Sequence, residues 1–406
     1  MAVVAGAACC WALWQSAQSG RARTLGEFAL VTAQMNAADE AVRLSPSDAE
    51  PHAVRGILLQ QAENYAEAQL EVERAVQLRP RDFTNWLLLG IIRDQNQDQE
   101  GALLAFRQSR ALAPAYSQPP WLLGNLLLRM DQTDQAFAEL RAAAASDPEL
   151  LPNVIDLAWG IYGGDVNAVL SVVPPQTDAA RLELALFFAR HQQSSTAADQ
   201  FLAAAVSPND RSEVLLRELL KERAFTDAFR VWARTHSLSE DAMGTIRNAD
   251  FEEPVNVAES GFGWQITPDV PNVGMSVDTA EHQSGAKSLR IDFRGDSTPS
   301  QPLITQLVLV KREESYRLRF SAKSRELISA GLPVVVIRDA SDPAQPALAQ
   351  SSPLRSNGNG WQEFSIDLKT GAKTEAILIS VERQNCPHPC PAFGTAWLDS
   401  FQIETR

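Results

Sequence analysis

Histidine is scarce in this 406-residue chain, and its five copies (His52, His191, His236, His282 and His388) never take the spacing that sets two metal ligands on one helix face. A Gly-x-Ser-x-Gly nucleophile elbow is missing, and so is a phosphate-cradling glycine loop. The adjacent acids Glu252-Glu253 and Glu313-Glu314 cannot act together on one bond from a strand, where neighbours point to opposite faces. With no catalytic grouping left, the chain is expected not to be an enzyme. Basic residues are in deficit: 36 Lys and Arg face 50 Asp and Glu, a net charge of −14. Such a surface repels phosphate backbones, which excludes nucleic acid as an expected partner. Plain solubility is reason enough for the acidity.

Long apolar runs are also lacking. The charge-free apolar run near the start, residues 2–14 (AVVAGAACCWALW), covers only about 20 Å as a helix, against a hydrocarbon core of about 30 Å, and the following QSAQSG could stretch it only weakly. No basic residue precedes it, as a signal peptide would need. Residues 1–20 are therefore expected to be a hydrophobic membrane anchor or a truncated signal segment, the alternative being a buried first helix. Cysteine is limited to four copies. Cys9 and Cys10 fall in the apolar run. Cys386 and Cys390 frame Cys-Pro-His-Pro-Cys, where three ligands are too few for a closed zinc site, so a local disulfide is the favoured reading over a metal site.

What the chain does have is a period. Gly56, Gly90 and Gly124 lie 34 residues apart, as do Ala68, Ala102 and Ala136, and Pro46, Pro80, Pro114 and Pro148. A fixed 34-residue repeat of this kind marks stacked helix pairs, which make surfaces for partners. Glycine lets two helices approach closely, and proline stops the second helix. In the unit 83–116, Trp86, Leu89, Gly90, Ala102, Phe106 and Pro114 together resemble the tetratricopeptide repeat (TPR) family. His52 and Pro120 stand where Trp86 stands in the neighbouring units. The pattern decays past Pro148, with helical stretches around 153–172, 179–205 and 211–236 broken by Pro174, Pro175 and Pro208. The array is expected to fill residues 21–240. The resemblance implies a protein-binding groove lined by first-helix residues: Leu87, Ile91, Asp94 and Gln95 in one repeat, Trp121, Asn125, Leu128 and Arg129 in the next. Packing against a neighbouring repeat is the alternative for Leu87 and Ile91.

After about residue 240 the period becomes two. Alternation at Val308/Val310, Tyr316/Leu318/Phe320 and Val334/Val336 belongs to eight candidate strands: 275–279, 287–293, 303–311, 315–323, 332–338, 361–368, 374–382 and 395–403. Asn357-Gly358 and Asn359-Gly360 supply turn chemistry. The fold class expected is therefore an α-helical solenoid followed by a β-sandwich or jelly roll over 247–406. Asn248, Phe251 and Glu252, then Gly261 and Trp264, with Gly285, Gln306, Tyr316, Trp361 and Trp397-Leu398-Asp399 in order, resemble jelly-roll carbohydrate-binding modules of the galactose-binding type.

That second resemblance implies glycan binding, with Trp264, Tyr316, Trp361 and Phe393 as the aromatics to test, although Trp264, Trp361 and Trp397 stand at positions usually buried in such a core. It also implies a structural calcium held by Glu252, Asp399 and backbone oxygens around Lys287, unless the two acids only close the sheet ends through hydrogen bonds. The combined expectation is a non-enzymatic adaptor of a bacterial cell envelope, membrane-anchored or exported. It would bind a protein through the TPR groove and glycan or protein through the sandwich, in assembly or export of surface polysaccharide. A pure protein scaffold and an unrecognised glycan hydrolase or lyase are the alternatives.

Overall fold

The computed structural model describes residues 2–205, 207, 209–239, 242–255, 260–355 and 360–406, with the backbone alone for 2–10 and 12. Residues 357–359 of the expected turn, the break at Pro208 and the side chains of Cys9 and Cys10 lie outside the described residues. Two compact units divide the chain, Met1–Pro175 and Gln176–Arg406.

The first unit is helical: α1 (Ala2–Thr32), α2 (Met35–Leu44), α3 (Ala49–Gln61), α4 (Tyr65–Leu78), α5 (Phe83–Gln95), α6 (Gln99–Leu112), α7 (Gln118–Arg129), α8 (Thr133–Ser146), α9 (Leu151–Ile161) and α10 (Val166–Val172). The 34-residue period sets the pairs α3–α4, α5–α6 and α7–α8. Asp48 and Asp82 cap the first helices of two pairs by accepting from the backbone N–H of Glu50 and Thr84, and Asn64 and Asp98 cap the second helices. Within each pair the chain turns through a left-handed residue at the same offset: Glu63 (φ 58°), Gln97 (64°) and Asp131 (58°).

The glycines lie in the helix crossings. A Cβ on Gly90 would sit 2.4 Å from a ring carbon of Phe106, and one on Gly56 would sit 2.3 Å from Val72. The side chain filling each notch is thus four residues beyond the repeat alanine, at Val72, Phe106 and Leu140. Ala68, Ala102 and Ala136 are fully buried, and the backbone oxygens of Ala68 and Ala136 face Gly56 and Gly124.

In the second unit the helical stretches resolve into pairs, α11 (Asp178–Arg190) with α12 (Ser194–Leu202), and α13 (Asp210–Lys221) with α14 (Phe225–Thr235). Gln192 and Arg223 make the left-handed turns between them. The strands are β1 (Gln265–Ile266), β2 (Val273–Asp278), β3 (Ser288–Asp296), β4 (Ile304–Leu309), β5 (Ser315–Ser329), β6 (Pro333–Asp339), β7 (Ala347–Gln350), β8 (Gln362–Lys369), β9 (Ala376–Arg383) and β10 (Pro391–Thr405). All eight expected strands are present; the two-residue β1 and four-residue β7 are additions. They form two antiparallel five-stranded sheets, β1-β4-β9-β6-β7 and β2-β3-β10-β5-β8. Side chains such as Leu289, Ile291, Leu318, Phe320, Ile377 and Ile379 fill the core between them. Phe229 and Trp232 of α14 pack on Phe262 of the sandwich, with ring centroids 5.1 and 5.7 Å away.

Arg383 is the largest of the charged side chains buried in this unit. The buried Arg383 guanidinium donates to Gly331 O (3.1 Å), Ser297 O (3.1 Å) and Oγ (2.7 Å), Ser329 Oγ (3.0 Å) and Cys390 O (2.6 Å). Burial pulls its pKa below the usual arginine value. Cys390 is joined to Cys386 in a disulfide with Cα atoms 6.0 Å apart, within the span such a bond allows.

Candidate functional site

Two surfaces carry the candidate residues, one on each unit. On the first helices of the repeats, Gln60 Nε2 donates to Gln95 Oε1 at 2.8 Å, and Arg129 of α7 pairs with Asp94 of α5. Asp94, Gln95 and Arg129 therefore share one side of the helix row and link consecutive repeats. Asn125 spends its amide on the backbone of Trp121, which is half-buried. Leu87 is placed differently from the groove expectation. It is buried in the cluster of Ala102, Phe106 and Leu123, with Ile91 and Leu128 partly buried against the same cluster. A first helix sits between two neighbours, so its apolar positions go to packing and its polar ones to the open side.

On the sandwich, two of the four ring candidates are core residues. Trp264 stacks on Phe251 (5.3 Å), meets Phe401 edge-on (5.1 Å), and donates its N–H to Asn248 O at 3.0 Å. Tyr316 is buried, and its hydroxyl accepts from Lys311 N at 2.8 Å. Both buried rings thus find the polar partner they need. Trp361 is half-buried just before β8. Phe393 of β10 is 50 % exposed.

Phe393 belongs to an ordered platform on the outer face of β2-β3-β10-β5-β8. Ala392, Ala396 and Leu398 point into the core, so Thr395 and Trp397 point out. Three rows cross β3, β10 and β5: Arg290–Trp397–Lys323, Asp292–Thr395–Arg325 and Arg294–Phe393–Ile328. The last row depends on a bulge. β5 spends three residues between Arg325 and Ile328 where β10 spends two, which returns Ile328 to the outward face. Gly394, at φ +105°, permits the close approach, since a Cβ there would lie 2.3 Å from Glu326 O.

Trp397 is buried, though not in the sandwich core as expected. Its outward ring lies under three cations, Arg290, Lys323 and Arg325, at 5.8, 5.9 and 5.2 Å from the centroid. Its N–H donates to Asp278 at 2.8 Å. Glu281 anchors the lid, with Lys323 at 2.6 Å and Arg325 at 2.7 Å, and the Lys323 bond draws its carboxyl below the usual range. Sequence reasoning missed this cluster because Arg290, Lys323, Arg325 and Trp397 meet only once strand register is known.

The groups around Glu252 and Asp399 do not fit a calcium ion. Glu252 Oε1 accepts from Ala286 N (2.5 Å) and Lys287 N (2.9 Å), and these backbone bonds lower its pKa. Asp399 Oδ2 accepts from Gln283 N (2.7 Å) and Ser284 N (2.9 Å). The Lys287 ammonium rests on Glu252 O at 2.5 Å. N–H donors converge where a hard cation needs oxygens, and a positive charge is already present. Among the described residues, no group of three or more His, Cys, Asp or Glu is placed to hold a metal. Among them too, no helix is long and apolar enough to cross a membrane.

The two halves are similar to two known classes: the helical part to TPR solenoids, and the sheets to jelly-roll carbohydrate-binding modules. No family model matches the chain. Tetratricopeptide repeat protein 37 of Xenopus laevis is 24% identical over an aligned length of 226 residues, in a match that covers 51% of this chain and only 14% of that protein's length. Among solved structures, MamA (41-end) from Desulfovibrio magneticus RS-1 is 20% identical, covering 46% of this chain and 92% of its own, with a TM-score of 0.31. A CBM4 carbohydrate-binding module is 19% identical, covering 40% of this chain and 99% of its own, with a TM-score of 0.30.

Proposed function

We propose that this protein is a non-enzymatic adaptor, whose helical array recruits a protein and whose sandwich holds a glycan on the outer face of β2-β3-β10-β5-β8. The observation that carries the glycan half is the row Arg294–Phe393–Ile328. An aromatic ring and an aliphatic side chain stand side by side in water, where a folded protein without a ligand for them gains nothing by displaying them. The recruiting half rests on the polar side of α5 and α7, where Asp94, Gln95 and Arg129 stay accessible. The adaptor works at a bacterial cell envelope, in assembly or export of surface polysaccharide. The exposed Trp11, Leu13 and Trp14 of α1 support that placement, as apolar side chains suited to a lipid interface.

Glycan microarray binding of the full chain, beside its Phe393→Ala variant, tests the first half. Wild-type signal that the variant loses is expected. Signal unchanged in the variant moves the site elsewhere, and a silent array removes the glycan. Cross-linked pull-down from envelope extracts, with Arg129→Glu as control, tests the second half.

A protein–protein scaffold with the sandwich as a rigid cap is the second reading. The burial of Trp264 and Tyr316, two of the four rings available for sugar, favours it.

A further inference from the structure

We infer that the glycan held on this face is anionic, a uronic-acid-bearing polysaccharide whose carboxylate pairs with Arg294 while its C–H face rests on Phe393 and Ile328. This rests on the glycan reading above and narrows it.

The first ground is what the face withholds. A neutral sugar would find its largest stacking surface in the Trp397 indole, but Arg290, Lys323 and Arg325 cover that ring and leave the residue 2 % exposed. The ring supports cations instead of being offered to a ligand. The aromatic surface that is offered, Phe393, has Arg294 as its register partner on β3, and the mobile end of that exposed side chain, which lies over Gly274 of β2 here, can swing toward a ligand on the ring.

The second ground is the balance of partners. Along the three rows the cations Arg290, Arg294, Lys323 and Arg325 are shared out among the acids Asp278, Glu281 and Asp292. Glu281 serves Lys323 and Arg325, and Asp278 serves Arg290 and the Trp397 N–H. Asp292 gives Oδ1 to Arg290 at 3.0 Å and to the Thr395 hydroxyl at 2.8 Å. Among the described residues, Arg294 has one ion-pair contact, to Asp292 at 3.6 Å, and its side chain is 70 % exposed. That distance is beyond a hydrogen bond. Arg294 is thus the cation with unspent donors, and a guanidinium's fork matches a carboxylate. The chain as a whole, at a net −14, repels polyanions, so an anionic ligand needs a local cation such as this one.

The row spans roughly 10 Å over three strands, enough for a saccharide to touch all three side chains.

Isothermal titration of the full chain with polygalacturonic acid and with its methyl ester, for wild type, Arg294→Gln and Phe393→Ala, decides the matter. Both substitutions are at exposed positions, and circular dichroism verifies folding. The expected result is that polygalacturonate binds, and the ester at least about tenfold more weakly. Arg294→Gln should lose about tenfold for the acid and nothing for the ester, and raised salt should weaken only the acid. Equal binding of acid and ester, abolished by Phe393→Ala and untouched by Arg294→Gln, overturns the anionic assignment and leaves the glycan site standing. No binding of these or of a neutral glycan panel overturns both, and so does a protein partner captured on Phe393.

Discussion

His52 and Trp86 make the same bond one repeat apart. Trp86 Nε1 donates to Pro80 O at 2.9 Å, and His52 Nε2 lies 3.1 Å from Pro46 O. Each ring ties its helix to the proline turn six residues earlier. The imidazole also meets Glu71 through Nδ1 at 2.6 Å, a contact an indole cannot make.

That difference makes the repeat sensitive to pH. With acceptors at both nitrogens, His52 favours the imidazolium. The Glu71 hydrogen bond raises its pKa above the ordinary value of 6.5 against some burial, and the same bond lowers Glu71 below 4.5. Arg55 pairs with Glu71 and Asp39, and Arg74 opposes the imidazolium charge. The histidine's contribution is complete below its unfolded pKa and disappears as pH rises through the raised folded one. The glutamate's is complete above its unfolded pKa and fades as pH falls through the lowered folded one. Helical stability should therefore plateau between about pH 4.5 and 6.5 and decline toward alkaline pH. Thermal unfolding followed by far-ultraviolet circular dichroism should show this decline in wild type and its absence in His52→Trp. An alkaline decline that survives the substitution would assign it to another group.

The glycines should divide sharply under alanine substitution. Gly90→Ala pushes a methyl into the Phe106 ring and should cost about 1–3 kcal/mol, since the notch has no slack. Gly160→Ala in α9 meets nothing within 4 Å and should gain about 0.5–1 kcal/mol from helix propensity. Denaturant midpoints measure both, and similar shifts for the pair would mean the crossings are looser than described.

With an ammonium on Glu252 O and backbone N–H groups on both acids, the sandwich should hold its loop without metal. The unfolding temperature of the full chain should not move on adding EDTA or calcium chloride. Lys287→Ala should destabilise by about 1–2 kcal/mol through loss of a charge-assisted bond. A calcium-driven rise that EDTA reverses would contradict this account.

The repeat was legible because close approach of two helices restricts both partners: glycine at 56, 90 and 124 and alanine twelve residues on leave an arithmetic trace. The strands were legible wherever one face meets the core, as at Leu318 and Phe320. Burial depth was not. Leu87 occupies an expected groove position but packs beside Phe106, because periodicity gives a face without saying which neighbour covers it. Trp264 and Phe393 are both aromatic residues of the sandwich; only the pairing of β10 with β3 and β5, and a bulge opposite Gly394, separates the buried ring from the displayed one. The lid over Trp397 draws on three strands, and no local pattern announces it.

The contact of Phe229 and Trp232 with Phe262 bears on how this protein can be divided. Cutting at residue 247, where the composition changes, would strip an aromatic cover from the sandwich and present Phe262 to water, a recipe for aggregation in the tube and in the cell. A proteolytic core or an expressible second half should instead begin near Gln176 and carry its four helices along.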